Sequence, residues 1–285
     1  MAFFTSSFFL KLSRAAVLVL VFLLPLFVLP FTLEALELAK QTLLVVITCV
    51  SALSFGAFII LSRQARVKRG FINILPFFAV AAVAVPAFFS LAPYVSWVGT
   101  SRQEYTSVLT VVSCAMLFYL CANLFTDRST HRTVHGVFLF SAFLTGAIGV
   151  CSVLGVFVLP FDFAQAKGIN TIGTLSSLVL FLSVASVFLL ANWVSHKKGD
   201  SLLHDGWMGI LERVLIGAVV LMTFFFQMLA DDGRLWIVLI AGLGMILSLS
   251  CFRLQEFSHK KRLWWIAIFF GMSLIGIINV FVNAY

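Results

Sequence analysis

The feature that most constrains this chain is a series of long apolar segments separated by short charged ones. Each segment has about 20 residues, the length that an α-helix needs to cross roughly 30 Å of hydrocarbon. Leu, Val, Phe and Ala fill them continuously, without the alternating polarity of barrel strands. With 62% hydrophobic and only 11% charged residues, the chain is too apolar for a soluble globular domain. The sequence therefore predicts an all-α, polytopic membrane protein.

Nine segments are predicted to span the membrane, and together they form a single transmembrane domain over 1–285. Two acids and an arginine at 231–234 would be costly at mid-bilayer, which favours a tight hairpin between the seventh and eighth spans. The approximate limits are 15–33, 42–62, 71–92, 106–125, 136–158, 171–192, 214–230, 235–252 and 263–282.

The first span resembles a secretory signal because Lys11 and Arg14 precede it. It is longer than a signal core and lacks a small-x-small cleavage site. We interpret it as a retained helix, with Pro25 and Pro30 bending its far end.

Basic residues predict the orientation, because Lys and Arg resist translocation and stay in the cytoplasm. With nine spans, fifteen of the nineteen lysines and arginines fall on one side. The N-terminus is thus predicted to be cytoplasmic and the C-terminus to be on the opposite side. The other side keeps only Lys40, Arg102, Lys167 and Arg234.

Composition also disfavours several function classes. The net charge of +8 lies beside helix ends in cytoplasmic connections, where anionic lipid headgroups account for it, and nucleic acid is not an expected partner. The predicted span interiors carry no ionisable residue, which disfavours an ion-coupled transporter. Gln227, Asn123 and Asn192 are expected to form interhelical or headgroup hydrogen bonds.

The cysteines show no disulfide or zinc-binding spacing, and all lie in apolar segments. Cys114 and Cys121 are seven residues apart and share a helix face, but packing explains them better than metal binding. Neither a metal nor an organic cofactor is expected. No nucleotide-binding or hydrolase motif is found, and no residue is identified as catalytic.

Three polar connections on the non-cytoplasmic side are the candidate site, at 96–102, 167–171 and 231–234. Guanidinium groups suit bidentate binding of phosphate oxygens, and arginine is uncommon in translocated loops. The alternative is that the two arginines only pair with Glu104 and Asp232. The candidate binding residues are Arg102, Arg234, Lys167 and Asn170.

Three segments resemble the bacterial O-antigen ligase and polymerase-like membrane glycosyltransferases. Residues 89–102 are similar to the family's loop before the fourth helix, and 170–177 to its polar entry into the sixth helix. Residues 231–236 occupy the place of a short turn that is commonly Ser-Arg-Gly, although here Gly233 precedes Arg234 and acids replace the serine.

This resemblance implies a transferase that takes a glycan from a polyprenyl diphosphate at the periplasmic face of a bacterial inner membrane. Arg102 and Arg234 would bind the diphosphate, and the glycan acceptor stays unidentified. Family members have about twelve helices and a large periplasmic loop after the ninth, so the chain is expected to lack a C-terminal loop and further helices. Its histidines are all assigned to the cytoplasmic side, so none can be the periplasmic histidine of the ligases.

The alternative class is a non-enzymatic membrane protein. It would be a lipid or polysaccharide flippase, or a scaffold for a glycan-assembly complex. Both hypotheses place the chain among membrane lipids in cell-envelope polysaccharide assembly.

Overall fold

A computed structural model describes residues 2–29, 36–62, 74–99, 106–158, 170–194, 207–230 and 232–252, and Gly271. Within these residues the chain is helical and has no strand, which confirms the predicted all-α class. Their helices are α1 (Ala2–Leu23), α2 (Glu37–Leu61), α3 (Leu75–Phe88), α4 (Pro93–Trp97), α5 (Val108–Leu124), α6 (Arg128–Val153), α7 (Leu175–Val194), α8 (Trp207–Leu229) and α9 (Gly233–Phe252).

Several helices have the length and composition of membrane spans. In the described residues, five are long and apolar enough to cross a bilayer: Ser6–Leu23, Glu37–Leu61, Arg128–Val153, Leu175–Trp193 and Trp207–Leu229. Three further apolar segments are shorter: Leu75–Phe88, Val108–Leu124 and Leu235–Ile246. The ninth predicted span, 263–282, lies outside the described residues apart from Gly271.

The helices expose large apolar side chains to an extent that water would not tolerate. Ile60 on α2 is 83% exposed, Phe78 on α3 is 68% exposed and Leu221 on α8 is 71% exposed. Contiguous apolar surface of this kind marks contact with lipid or with another protein. Together with the five long helices, it makes this chain an integral membrane protein.

Helix α1 begins and ends earlier than the span predicted at 15–33. It runs over Ala2–Leu23, and a turn follows in which the Leu26 and Phe27 amides both bond to the Leu23 carbonyl. Pro25 has no amide hydrogen to continue the helical ladder, so the helix stops here instead of bending.

Three other helices extend beyond their predicted spans into polar sequence. α2 begins at Glu37 rather than 42, α6 at Arg128 rather than 136, and α8 at Trp207 rather than 214. These helices therefore contain ionisable side chains, which precede the apolar spans predicted from the sequence. His135 on α6 is 3% exposed and Glu212 on α8 is 8% exposed. Hydropathy locates the apolar part of a helix, whereas the helix itself continues as far as its backbone hydrogen bonds do.

The chain divides into two compact units, unit 1 (Met1–Val137) and unit 2 (Phe138–Tyr285), and the division falls within α6. In unit 1, α1 packs along α2, and both α2 and α3 pack against α5. Its apolar core contains Val17, Leu120, Leu124 and Phe125.

A pair of serines joins α1 to α2 in unit 1. The Ser13 hydroxyl donates to the Ser51 carbonyl at 2.9 Å, and the Ser51 hydroxyl can donate to the Ser13 carbonyl at 3.1 Å. Small hydroxyl residues let membrane helices approach closely and bond across the interface.

In unit 2, α7 packs against both α8 and α9. A stripe of α7 residues is completely buried: Leu178, Val179, Leu182, Ala185 and Leu189. Thr223 of α8 lies 2.7 Å from the Ser186 hydroxyl and 3.2 Å from the Leu182 carbonyl, which joins α8 to α7. α7 is therefore the central helix of this unit's core.

Candidate functional site

The four predicted binding residues differ in how much of them the structure describes. Arg102 and Lys167 lie outside the described residues. Arg234 lies in the first turn of α9, and only its backbone is described. Asn170 is described in full and is 3% exposed. The only geometry at side-chain level is thus that of Asn170 and of the residues that border the other three.

Asn170 shapes the entry into α7. Its Oδ1 accepts hydrogen bonds from the Ile172 amide at 2.9 Å and the Gly173 amide at 3.2 Å. Its Nδ2 donates to the Thr174 carbonyl at 3.3 Å. Gly173 has φ +142°, a conformation in which an L side chain is strained. These bonds make the Asn170 amide a local turn-forming group, so we assign it to positioning this connection.

Gln41 fixes both ends of the connection that carries Arg102. Its Nε2 donates to the Val98 carbonyl at 2.8 Å, to the Ser107 hydroxyl at 3.0 Å and to the Thr110 hydroxyl at 3.1 Å. An amide has two hydrogens, so one of these contacts is shared. One buried side chain of α2 thereby holds the chain on both sides of 99–106.

Ser107 completes this anchor because it also caps α5. Its hydroxyl accepts from the Thr110 amide at 3.3 Å, one turn into the helix. Ser107 is 1% exposed and Thr110 is 6% exposed. The start of α5 and the start of α2 are consequently joined by one hydrogen-bonded cluster, which we call the Gln41 cluster (Gln41, Val98, Ser107 and Thr110).

Lys40 adds a buried cation beside this cluster. The sequence placed it in a non-cytoplasmic connection, whereas the structure has it in the first turn of α2, 6% exposed. The charge of Glu37, one turn earlier, acts on it electrostatically. The sequence signal for this site was the polar group Glu37, Lys40 and Gln41, which precedes the apolar segment at 42.

In unit 2, the polar side chains of Gln227 and Trp236 are almost completely buried. Each is 1% exposed. The interhelical hydrogen bond expected for Gln227 is not formed in the described part of the chain: neither Oε1 nor Nε2 has a partner there, and neither does the indole Nε1 of Trp236. Sequence reasoning counted Trp236 only as an aromatic residue after the turn.

On the other side of unit 1, Arg14 joins α1 to the end of α5. Its Nε donates to the Leu124 carbonyl at 3.1 Å, and its Nη2 lies 3.5 Å from the Asp127 carboxylate. The carboxylate is 64% exposed, so this ion pair contributes little to stability. Arg14 is therefore a structural residue.

The described cysteines are free thiols: Cys49, Cys114, Cys121 and Cys151. Among the residues that the structure describes, no group of three or more His, Cys, Asp or Glu side chains is placed to hold a metal ion.

Comparison with known proteins yields no relative. No protein-family model, no curated protein and no solved structure matches this chain.

Proposed function

We propose that this chain belongs to the machinery of lipid-linked glycan transfer and acts on a polyprenyl-diphosphate-linked glycan as a ligase- or polymerase-like transferase. The proposal starts from the integral membrane character of the chain and from the local resemblance of residues 89–102, 170–177 and 231–236. Its proposed substrate is amphiphilic. The apolar polyprenyl chain would contact the lipid-exposed helices, and the anionic diphosphate would contact the connections that carry Lys and Arg.

The proposed topology has nine spans, a cytoplasmic N-terminus and a C-terminus on the periplasmic side of a bacterial inner membrane. It rests on the alternation of basic connections along the sequence. Lys40, Arg102, Lys167 and Arg234 then share the non-cytoplasmic side.

The observation that carries the proposal is the Gln41 cluster. Catalysis by charge stabilisation needs donors that are held in place before the reaction. Gln41 fixes the chain at Val98 and Ser107, on either side of the segment that bears Arg102. A buried amide that bonds to both ends of a short connection holds that connection in place, as a binding role requires.

The proposed chemistry is stabilisation of a leaving group. When the glycosidic bond to the carrier breaks, negative charge grows on the polyprenyl diphosphate. Arg102 and Arg234 are the proposed ligands of this charge, since guanidinium groups bind phosphate oxygens in a bidentate manner. Lys167 contributes positive charge, and Asn170 positions the entry into α7.

The test is transfer and binding by the full chain in liposomes with a polyprenyl-diphosphate-linked oligosaccharide. We expect Arg102→Ala and Arg234→Ala each to lower kcat/KM by about 100-fold, the effect of removing one preorganised charge-stabilising donor. Arg213→Ala is the matched control, because Arg213 is exposed on α8 and is assigned to the cytoplasmic side. Undiminished transfer in both arginine variants would contradict the proposal.

The same assay separates the alternative class. A flippase would move the labelled lipid between leaflets without any acceptor, and a scaffold would neither move nor transfer it. Strict dependence of turnover on a glycosyl acceptor supports the transferase, whereas acceptor-independent movement of the lipid supports the flippase.

A further inference from the structure

Gln227 and Trp236 are buried polar side chains without a hydrogen-bond partner in the described part of the chain. The unpaired atoms are Oε1 and Nε2 of Gln227 and Nε1 of Trp236. Each residue is 1% exposed, so bulk water does not reach these atoms. Leaving an amide and an indole N–H unpaired in an apolar interior is costly, and buried polar groups are normally paired by protein, ordered water or ligand.

The two side chains lie at similar depth at one end of unit 2. Gln227 is two residues before the end of α8 at Leu229, and Trp236 is three residues after the start of α9 at Gly233. At 1.5 Å per residue, both are about 3–5 Å inside their helices. The short turn between these helices brings the two positions to the same end of the unit.

The neighbours of both side chains place them on faces of α8 and α9 that pack within unit 2. Thr223 of α8 bonds to the Leu182 carbonyl of α7, and the ring centroid of Phe224 is 6.1 Å from that of Trp236 on α9. Gln227 is four residues after Thr223 and three after Phe224, so it lies between their two directions on α8, towards α7 and Trp236.

The chemistry of the unpaired atoms defines what they can bind. Gln227 offers two N–H donors and one carbonyl acceptor, and Trp236 offers one N–H donor. A phosphate or carboxylate would leave the carbonyl without a donor, and a cation would meet three N–H groups. A hydroxyl group satisfies both sides, because it donates one hydrogen bond and accepts others.

We propose that Gln227 and Trp236 form a binding site for a neutral hydroxyl group where α8 and α9 pack against α7. Two sources can supply this group: a buried water molecule, or the first sugar of a lipid-linked glycan. The second source rests on the function proposed above, whereas the first does not.

The first experiment is thermal unfolding of the full chain in a detergent that has no hydroxyl groups, such as lauryldimethylamine oxide. A bound hydroxyl makes the amide a stabilising group, so Gln227→Leu and Gln227→Met should lower Tm by about 2–6 °C. If the amide has no partner, the change in Tm has the opposite sign, because an apolar side chain removes a desolvation cost and raises Tm. Met228→Leu, at a half-exposed neighbouring position, is the control for substitution at this end of α8.

The second experiment identifies the source. Binding is measured for polyprenyl diphosphate carrying one N-acetylhexosamine and for polyprenyl diphosphate without sugar. If the sugar supplies the hydroxyl, the wild type should prefer the sugar-bearing lipid about tenfold, which corresponds to about 1.4 kcal/mol. Gln227→Leu and Trp236→Phe should abolish this preference while binding of the sugar-free lipid is unchanged.

The outcomes are separable. A lower Tm in the Gln227 variants without a sugar preference assigns the hydroxyl to water, and a preference that these variants lose assigns it to the sugar. An unchanged or higher Tm, together with no sugar preference that Gln227→Leu removes, overturns the hydroxyl site. Absence of binding of both lipids by the wild type overturns the proposed function, and the Tm comparison then decides the hydroxyl site alone.

Discussion

At the scale of single residues, Gln41 links separate segments of unit 1. Its amide joins the N-terminal part of α2 to a carbonyl and two hydroxyls that are 57, 66 and 69 residues away in sequence. The two hydroxyls belong to buried residues, so these hydrogen bonds are shielded from solvent. The group is both a helix-packing contact and the anchor of a candidate binding connection.

Gln41→Leu should therefore destabilise the protein by about 1–3 kcal/mol, because it removes at least two hydrogen bonds that each contribute about 0.5–1.5 kcal/mol. The neighbouring Thr42→Val is the matched control, because the exposed Thr42 hydroxyl bonds only to the Leu38 carbonyl of its own helix. Thr42→Val should change stability by less than about 0.5 kcal/mol. Denaturant unfolding in mixed micelles measures both, and equal effects would contradict the anchor role.

The sequence could reveal some of these residues and not others, depending on how far away their partners lie. Asn170 bonds to groups two, three and four residues ahead, so its turn-forming role is readable from Asn before Gly173. Gln41 offers no such local pattern, because Val98, Ser107 and Thr110, which accept its hydrogen bonds, are more than 50 residues away in sequence. Gln227 and Trp236 look ordinary in sequence, and only their burial makes them distinctive.

At the scale of elements, the contact between α7 and α9 depends on a glycine. A Cβ at Gly242 would lie 2.5 Å from Cγ2 and 2.9 Å from Cγ1 of Val187. Valine is stiff because two heavy atoms branch at its Cβ, so it cannot rotate away without strain. The close approach of α9 to α7 is set by this pair.

Gly242→Ala is expected to destabilise the protein by about 1–3 kcal/mol through overpacking. The control is Gly217→Ala on α8, where nothing lies within 4 Å of the added Cβ. That change should leave stability equal or raise it by up to about 1 kcal/mol, since alanine favours the helix over glycine. Val187→Ala in the Gly242→Ala background should restore most of the loss, and failure to do so in equilibrium unfolding would show that the contact is not the cause.

Helix positions were predictable where apolar sequence and helix coincide. The predicted spans 106–125 and 235–252 correspond closely to α5 (Val108–Leu124) and α9 (Gly233–Phe252). Agreement is worse where helices continue into polar sequence, as α8 does through Glu212 and Arg213. Hydropathy does not predict where a helix continues into polar sequence, because helical hydrogen bonds form between backbone groups whatever the side chain.

At the scale of the whole molecule, this is a membrane protein in which connections rich in Lys and Arg alternate with connections poor in them along the sequence. The exposed apolar side chains and five long helices support the membrane environment directly. The binding residues that we propose can act together only if the connections at 96–102, 167–171 and 231–234 share one side of the membrane. The proposed topology therefore decides whether these residues can belong to one site.

The most direct test is a set of reporter fusions in bacterial cells, with alkaline phosphatase active only outside the cytoplasm and green fluorescent protein active only within it. We predict a cytoplasmic signal after residues 66, 128, 198 and 258, and an external signal after residues 34, 102, 167, 232 and 285. The alternation follows from nine spans and a cytoplasmic N-terminus. A cytoplasmic signal at 102, 167 or 232 would contradict the account, since the proposed diphosphate ligands would then lie on opposite sides of the membrane or on the wrong one.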